Sequence, residues 1–267
     1  MRRFNAIMSA YEEALSPCIV PIYAVDEEQI VTAAGSAVLL RPKVDKHVLV
    51  TAGHVLDNND YSPLMTWGGS AIGFIGLRGR AISTGPSYPR RDEDRVDIAV
   101  LELVPETVDE LSRTDARFAP GGVLSFHGTP DGFYSFNGYP EVLNEPAGTW
   151  DGERTTYTVQ RHIVSFRLQK AAEEEYRRVR CEPERNFVGV FDHRELIANG
   201  ELTVAPGPHP RGISGGAVFY LGTADDIYHD RRNVKLAGIG TEYHHNLGLI
   251  VAANARCVRT AIRNLLS

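Results

Sequence analysis

Gly212-Ile213-Ser214-Gly215-Gly216-Ala217-Val218 sets one serine between glycines, just ahead of an apolar run that continues Phe219-Tyr220-Leu221. Glycines at this spacing let the backbone turn sharply and aim its N–H groups outward, because no Cβ obstructs positive φ or a close approach. A serine on such a turn is exposed at an anchored point, and neighbouring N–H groups can stabilise a developing oxyanion. Taken alone, the stretch reads equally well as a glycine-rich hairpin turn leading into a strand. The residues upstream decide between the two.

Outward from this turn, the chain is a series of short apolar segments. Ile19–Ala24, Ser36–Leu40, His47–Ala52, Ala71–Leu77 and Val96–Leu103 are rich in Val, Ile, Leu or Phe, and Pro, Gly, Asn and Asp separate them. That punctuation predicts antiparallel strands of a sandwich or barrel. Residues 104–122 are largely polar and hold Pro105, Pro120, Gly121 and Gly122, which predicts a boundary between two halves. A second series follows: Val123–His127, Phe133–Tyr139, Arg154–Leu168, Asn186–Phe191, Gly216–Leu221, Val234–Thr241 and Leu247–Ala252. Gln169–Arg185 interrupts it with Glu173/Arg177 and Glu174/Arg178 at i,i+4, the pattern of a solvated surface helix. Phe4, Ile7, Met8, Tyr11 and Leu15 recur at helical spacing and predict an N-terminal helix that ends at Pro17. Val258, Ala261, Ile262 and Leu265 predict a C-terminal helix packed on the second half, with Asn254 as its N-cap. The expected organisation is an N-terminal helix over residues 1–16, a first β-barrel over 17–118, and a second barrel with the C-terminal helix over 119–267.

Hydrolysis by a serine needs a base for the hydroxyl proton, a group that holds that base in one tautomer, and donors for the oxyanion. Thr51-Ala52-Gly53-His54-Val55 puts a histidine just past a strand, after small residues that leave it accessible. Asp97, in Val96-Asp97-Ile98-Ala99-Val100-Leu101, heads an apolar strand. A carboxylate in such surroundings is costly unless hydrogen-bonded, and an imidazole N–H is one group that would satisfy it. A loop histidine without a role and a solvated aspartate are the plain alternatives.

Together, His54, Asp97 and Ser214 stand in the chain order of the chymotrypsin-like (trypsin-fold) serine proteases, whereas subtilisins and α/β-hydrolases use other orders. The sequence resembles that family over roughly residues 19–266. Thr51–His54 is similar to its TAAH motif, Asp97–Leu103 to its aspartate motif, and Gly212–Val218 to its GDSGGP motif. The resemblance implies an all-β fold of two antiparallel Greek-key barrels, here with a helix at each end and a helical insertion in the second barrel. It implies Ser214 as nucleophile, His54 as general base and Asp97 as its support, with the N–H groups of Gly212 and Ser214 as oxyanion hole. It further implies a substrate pocket around Pro208, His209, Gly240, Thr241, Glu242, Tyr243 and Gly248. There Thr241 stands where the family has a serine whose hydroxyl bonds the triad aspartate. Glu242 would suit a basic substrate side chain and His209 an acidic one.

Two departures from the family matter. Ile213 replaces the aspartate that pairs with a new N-terminus after zymogen cleavage, so activation of that kind is not expected. Cys18, Cys181 and Cys257 match none of the family's disulfides and are too few and too dispersed for a disulfide framework.

The composition narrows the partners. The 43% hydrophobic and 23% charged residues suit a globular chain, and a net charge of −6 offers no basis for a nucleic-acid or anionic-membrane surface. Met1–Leu15 lacks the unbroken apolar core of a signal peptide, since Glu12 and Glu13 interrupt it. These features predict a cytoplasmic protein, and the resemblance implies a polypeptide substrate; no cofactor or metal is expected, since His244-His245 lacks the spacing and acidic partner of a metal site. A regulatory protein partner is compatible with the N-terminal helix and with the 169–185 insertion. Ester hydrolysis by the same residues, and a binding module with little turnover, are the alternatives to peptide hydrolysis.

Overall fold

Runs such as Ala37-Val38-Leu39-Leu40 and Val48-Leu49-Val50 lack polar alternation because both faces of their strands are buried. Val38, Leu40, Val48 and Val50 point into a core between the two halves, together with Phe219, Leu236 and Ile239. Ala37, Leu39 and Leu49 point the other way, into a separate core with Ile22, Ile75 and Leu101. Strands with two buried faces read as continuous apolar segments.

The chain is seen here in a computed structural model that describes residues 10, 14–26, 28, 30–60, 62–85, 94–125, 128–150, 155–198, 201–204, 209–229 and 234–267. The first half contains β1 (Ile19–Val25), β2 (Val31–Lys43), β3 (Lys46–Ala52), the short helix α1 (Gly53–Asp57), β4 (Met65–Trp67), β5 (Phe74–Gly76), β6 (Gly79–Ser83) and β7 (Ile98–Leu103). Helix α2 (Pro105–Ser112) and β8 (Ala119–Pro120) follow, and β8 runs parallel to β2. The sheet order β5-β4-β1-β2-β3-β7-β6 places β4 beside β1, which is the Greek-key return.

The second half contains β9 (Phe133–Gly138), α3 (Glu141–Asn144), the hairpin β10 (Ala147–Trp150) and β11 (Thr155–Thr158), and β12 (Val164–Lys170). After these come α4 (Glu173–Arg178), β13 (Asn186–Ala198), β14 (Glu201–Val204), β15 (Ala217–Gly222), α5 (Ala224–Tyr228), β16 (Lys235–His244), β17 (Leu249–Asn254) and α6 (Ala255–Leu266). Its order β12-β9-β15-β16-β17-β13 closes into a ring through the β12–β13 pair, again with the fourth strand beside the first.

The all-β, trypsin-like architecture is as the sequence implied, with several corrections of detail. Among the described residues, only the second half closes by hydrogen-bonded strand pairs. The first is a curled sheet whose end strands, β5 and β6, are joined along the chain through Leu77 and Arg78. Val123–His127 was expected as a strand, but Gly121–Leu124 forms a 3-10 turn, its Val123 and Leu124 side chains filling the core between the halves. The insertion helix is short and docked rather than solvated. Tyr176 is buried with Val188 and Val251, and its hydroxyl accepts the Val188 N–H at 3.0 Å. The ion pair that forms on this helix is Glu175–Arg178, at 3.1 Å.

Asn254 caps α6 as predicted, its Oδ1 accepting the N–H groups of Arg256 and Cys257 at 3.1 Å. That helix packs on both halves instead of the second alone: Val258, Ala261 and Ile262 share one core with Ile98 and Val100 as well as with Leu236. Of the expected N-terminal helix, Ala10, Ala14 and Leu15 are helical. The remaining residues up to 13 lie outside the described residues. No helix among the described residues is long and apolar enough to cross a membrane.

Candidate active site

The register of the first sheet brings His54 and Asp97 together. Ala52 at the end of β3 pairs with Ile98 at the start of antiparallel β7, so the residues beyond each meet at one edge. Gly53 N–H donates to the Asp97 carbonyl at 2.8 Å, and His54 N–H donates to Asp97 Oδ1 at 3.0 Å. Asp97 Oδ2 lies 2.6 Å from His54 Nδ1. A carboxylate only accepts, so the proton sits on Nδ1 and leaves Nε2 with a free lone pair. Asp97 is 7% exposed and holds φ of +48°, a left-handed conformation that aspartate tolerates better than most residues. His54 itself is exposed. The aspartate is thus held by burial and by its hydrogen bonds with Gly53 and His54, and it orients a histidine that faces solvent.

Ser214 belongs to the second sheet, in the turn before β15, yet the first sheet holds it. Ser36, in the middle of β2, donates its N–H to the Ser214 carbonyl at 2.8 Å. The Ser36 carbonyl accepts the Thr51 hydroxyl at 2.7 Å. The Ser36 hydroxyl in turn accepts the Tyr139 N–H at 2.9 Å. A Cβ added at Gly35 would lie 2.8 Å from Val55 Cγ2 and 2.9 Å from the Ser214 carbonyl oxygen. The backbone of Ser214 and the neighbour of His54 therefore face each other across one glycine. Gly215, at φ +85°, fits as closely: a Cβ there would stand 1.9 Å from the Ser36 carbonyl oxygen.

The turn spends some of its N–H groups and not others. Ile213 N–H donates to Pro210, Gly215 N–H to Gly240 and Gly216 N–H to Ile213. Those of Gly212 and Ser214, on either side of Ile213, donate to none of the described residues. Ser214 Oγ likewise makes no hydrogen bond to His54 or to any other described residue. Ile213 is 3% exposed and anchors the turn in the second barrel's core with Phe136 and Val164. Arg211 and Glu141 brace its other end. Glu141 N–H donates to the Arg211 carbonyl at 2.9 Å, and the two side chains pair at 3.1 Å.

The remaining expected site residues group along β16 and its turn. Gly240 fixes Gly215 as above, and Gly248 takes φ of +60° where the turn enters β17. Thr241 is buried, but its hydroxyl donates to the Val251 carbonyl at 3.4 Å and not to Asp97, which corrects the role implied for it. Glu242 is exposed and its carboxylate meets His244 Nε2 at 2.9 Å. Tyr243 and His209 stand edge-to-face with centroids 5.6 Å apart, and burial pushes the Tyr243 phenol up. Pro208 lies outside the described residues. Ser36 and the Arg211–Glu141 pair were not anticipated. No local pattern marks them, because they act on residues more than 60 positions away.

No family model and no curated protein sequence matches the chain. Among solved structures, kallikrein-related peptidase 10 in complex with Zn2+ aligns at 14% identity over 94% of this chain and 95% of that one, with a TM-score of 0.52. A second structure of kallikrein-related peptidase 10 aligns at 14% identity with the same shares and a TM-score of 0.50. The VesB protease of Vibrio cholerae aligns at 14% identity over 92% of this chain and 63% of that one, at 0.49. The strand orders and the kallikrein alignments agree: the chain has the double-barrel fold of the trypsin-like serine proteases.

Proposed function

We propose that the chain is a serine endopeptidase in which Ser214 is the nucleophile, His54 the general base and Asp97 its orienting partner. The observation that carries the reading is the pattern of spent and unspent donors around Ser214. The N–H groups of Gly212 and Ser214 donate to no described residue, while a buried carboxylate holds the His54 imidazole in the tautomer a base requires.

The steps follow from that arrangement. Ser214 Oγ attacks the carbonyl carbon of the peptide bond as its proton passes to His54 Nε2. The carbonyl electrons move to oxygen, and the oxyanion takes hydrogen bonds from the N–H groups of Gly212 and Ser214. Collapse of this intermediate breaks the C–N bond, and the leaving amine receives the proton from His54. Water then repeats the sequence on the ester, returning the proton to Ser214 and releasing the acid. Asp97 remains ionised throughout and stabilises the imidazolium. No hydrogen bond yet joins Ser214 to His54 here, and such bonds commonly tighten only once substrate is bound.

The anchoring of Ile213 supports a serine turn assembled without zymogen cleavage, since burial does the work of an ion pair. The three thiols are unpaired, which supports action in a reducing compartment. A fluorophosphonate probe tests the reading. It should label wild type at Ser214 and leave Ser214→Ala unlabelled, and mapping of new N-termini in a digested proteome should show cleavages absent with Ser214→Ala. An unlabelled wild-type protein whose digest matches that of Ser214→Ala would reject it.

A further inference from the structure

A ring cluster that joins β16 to the segment leading into the serine turn has no part in the steps above. From Gly240 onward β16 runs alongside the serine turn, because Gly240 accepts the Gly215 N–H. Three residues further on, half-buried Tyr243 packs edge-to-face on buried Phe191, centroids 5.6 Å apart. Its ring also meets His209 at 5.6 Å and His245 at 5.9 Å, both nearly perpendicular. The two imidazoles stack on each other at 5.6 Å with 14° between their planes. His209 is on the segment leading into the serine turn, and its Nδ1 accepts the Arg211 N–H at 3.2 Å. Three separate parts of the second barrel thus enclose one phenol ring: β13 through Phe191, the serine segment through His209, and the β16–β17 turn through His245.

We propose that Tyr243 fills the space beside Ser214 into which the substrate side chain preceding the cleaved bond would project, restricting cleavage to bonds after glycine, alanine or serine. The inference rests on the endopeptidase reading and names its substrate class. Edge-to-face aromatic contacts are favourable beyond the area they bury. Displacing the ring for a larger substrate side chain would forfeit three of them, whereas a hydrogen or methyl group needs no displacement. Among the described residues, the Glu242 carboxylate already meets His244, and His209 is held by its Nδ1 bond to Arg211 and by the stack.

Peptides that differ only in the residue before the cleaved bond test this, with wild type, Tyr243→Gly and Tyr243→Ala. Wild type should prefer alanine to phenylalanine, and Tyr243→Gly should raise the phenylalanine-to-alanine ratio of kcat/KM at least tenfold, the low end of what a methylene-sized change in a pocket commands. Indole binding, followed by calorimetry, reads the opened space without catalysis: Tyr243→Gly or Tyr243→Ala should bind indole saturably where wild type does not. A wild-type preference for phenylalanine, arginine or glutamate, or indole binding no better in either variant than in wild type, would overturn the inference. If no peptide is cleaved by any of the three proteins yet the variants alone bind indole, the filled pocket stands and the endopeptidase reading falls.

Discussion

Replacing Ile213 separates anchoring of the serine turn from its chemistry. The side chain is 3% exposed among Phe136, Phe166 and Val164, and a Cβ on Gly138 would lie 2.5 Å from its Cγ1, so no slack surrounds it. Ile213→Val removes one methyl group and should cost about 1 kcal/mol. Ile213→Ala should cost about 2–4 kcal/mol in lost transfer and cavity terms. Ile213→Asp would bury a carboxylate with no cation against it, a cost of several kcal/mol that the turn avoids by leaving the core. Leaving re-aims the N–H groups of Gly212 and Ser214, and loss of one such donor costs about 10²–10³ in rate. The assay is the rate of fluorophosphonate labelling at Ser214, paired with thermal unfolding of the same samples. Ile213→Val should label within a few-fold of wild type, and Ile213→Ala should lower Tm by about 2–4 °C for each kcal/mol. Ile213→Asp should label about 100-fold more slowly or worse. Wild-type labelling and wild-type Tm in Ile213→Asp would refute burial as the anchor.

Asp97→Asn should lower kcat by about 10⁴ while circular dichroism stays native, because an amide facing His54 Nδ1 favours the wrong tautomer; a loss under tenfold contradicts the role given to Asp97. Ser36→Ala leaves the buried Tyr139 N–H without its acceptor and should cost about 1–3 kcal/mol in denaturant unfolding. Its labelling rate should change little, since the backbone bond from Ser36 to Ser214 is kept. The Arg161 hydrogen bond at 2.6 Å holds the Asp115 carboxyl below its ordinary range. A depressed native value stabilises fully above the unfolded value and is lost as pH falls through the native one. Asp115→Asn should therefore destabilise by about 0.5 kcal/mol at pH 7, the Asp115 carboxylate being largely exposed. That gap should close below pH 4, and a gap that persists in acid would show that the pair contributes through shape instead of charge.

Legibility in the sequence followed how local each feature is. Ile19–Ala24, His47–Ala52 and Gly216–Leu221 were readable as strands because burial on both faces leaves uninterrupted apolar runs. Strand β6 was not, since Gly79-Arg80-Ala81-Ile82-Ser83 is mostly exposed and carries no such run. Val123–His127 looked like a strand for the opposite reason: its apolar residues are buried from a 3-10 turn, and burial alone does not specify backbone shape. Helix α2 was read as a polar boundary because it buries only Thr107 and Leu111.

By itself the sequence determined the glycine turn around Ser214, the cap at Asn254, the apolar strands and the chain order of His54, Asp97 and Ser214. Each depends on φ/ψ freedom, hydrogen-bonding groups or periodicity carried by consecutive residues. Only the tertiary structure decided that Ser36 of one sheet holds Ser214 of the other, and that Ile213 is anchored by apolar burial. It also decided that the Thr241 hydroxyl turns to Val251, and that Tyr243 is enclosed by rings from three separate segments. Those outcomes depend on strand register and on how two curved sheets pack, and groups that only packing brings together leave no local pattern.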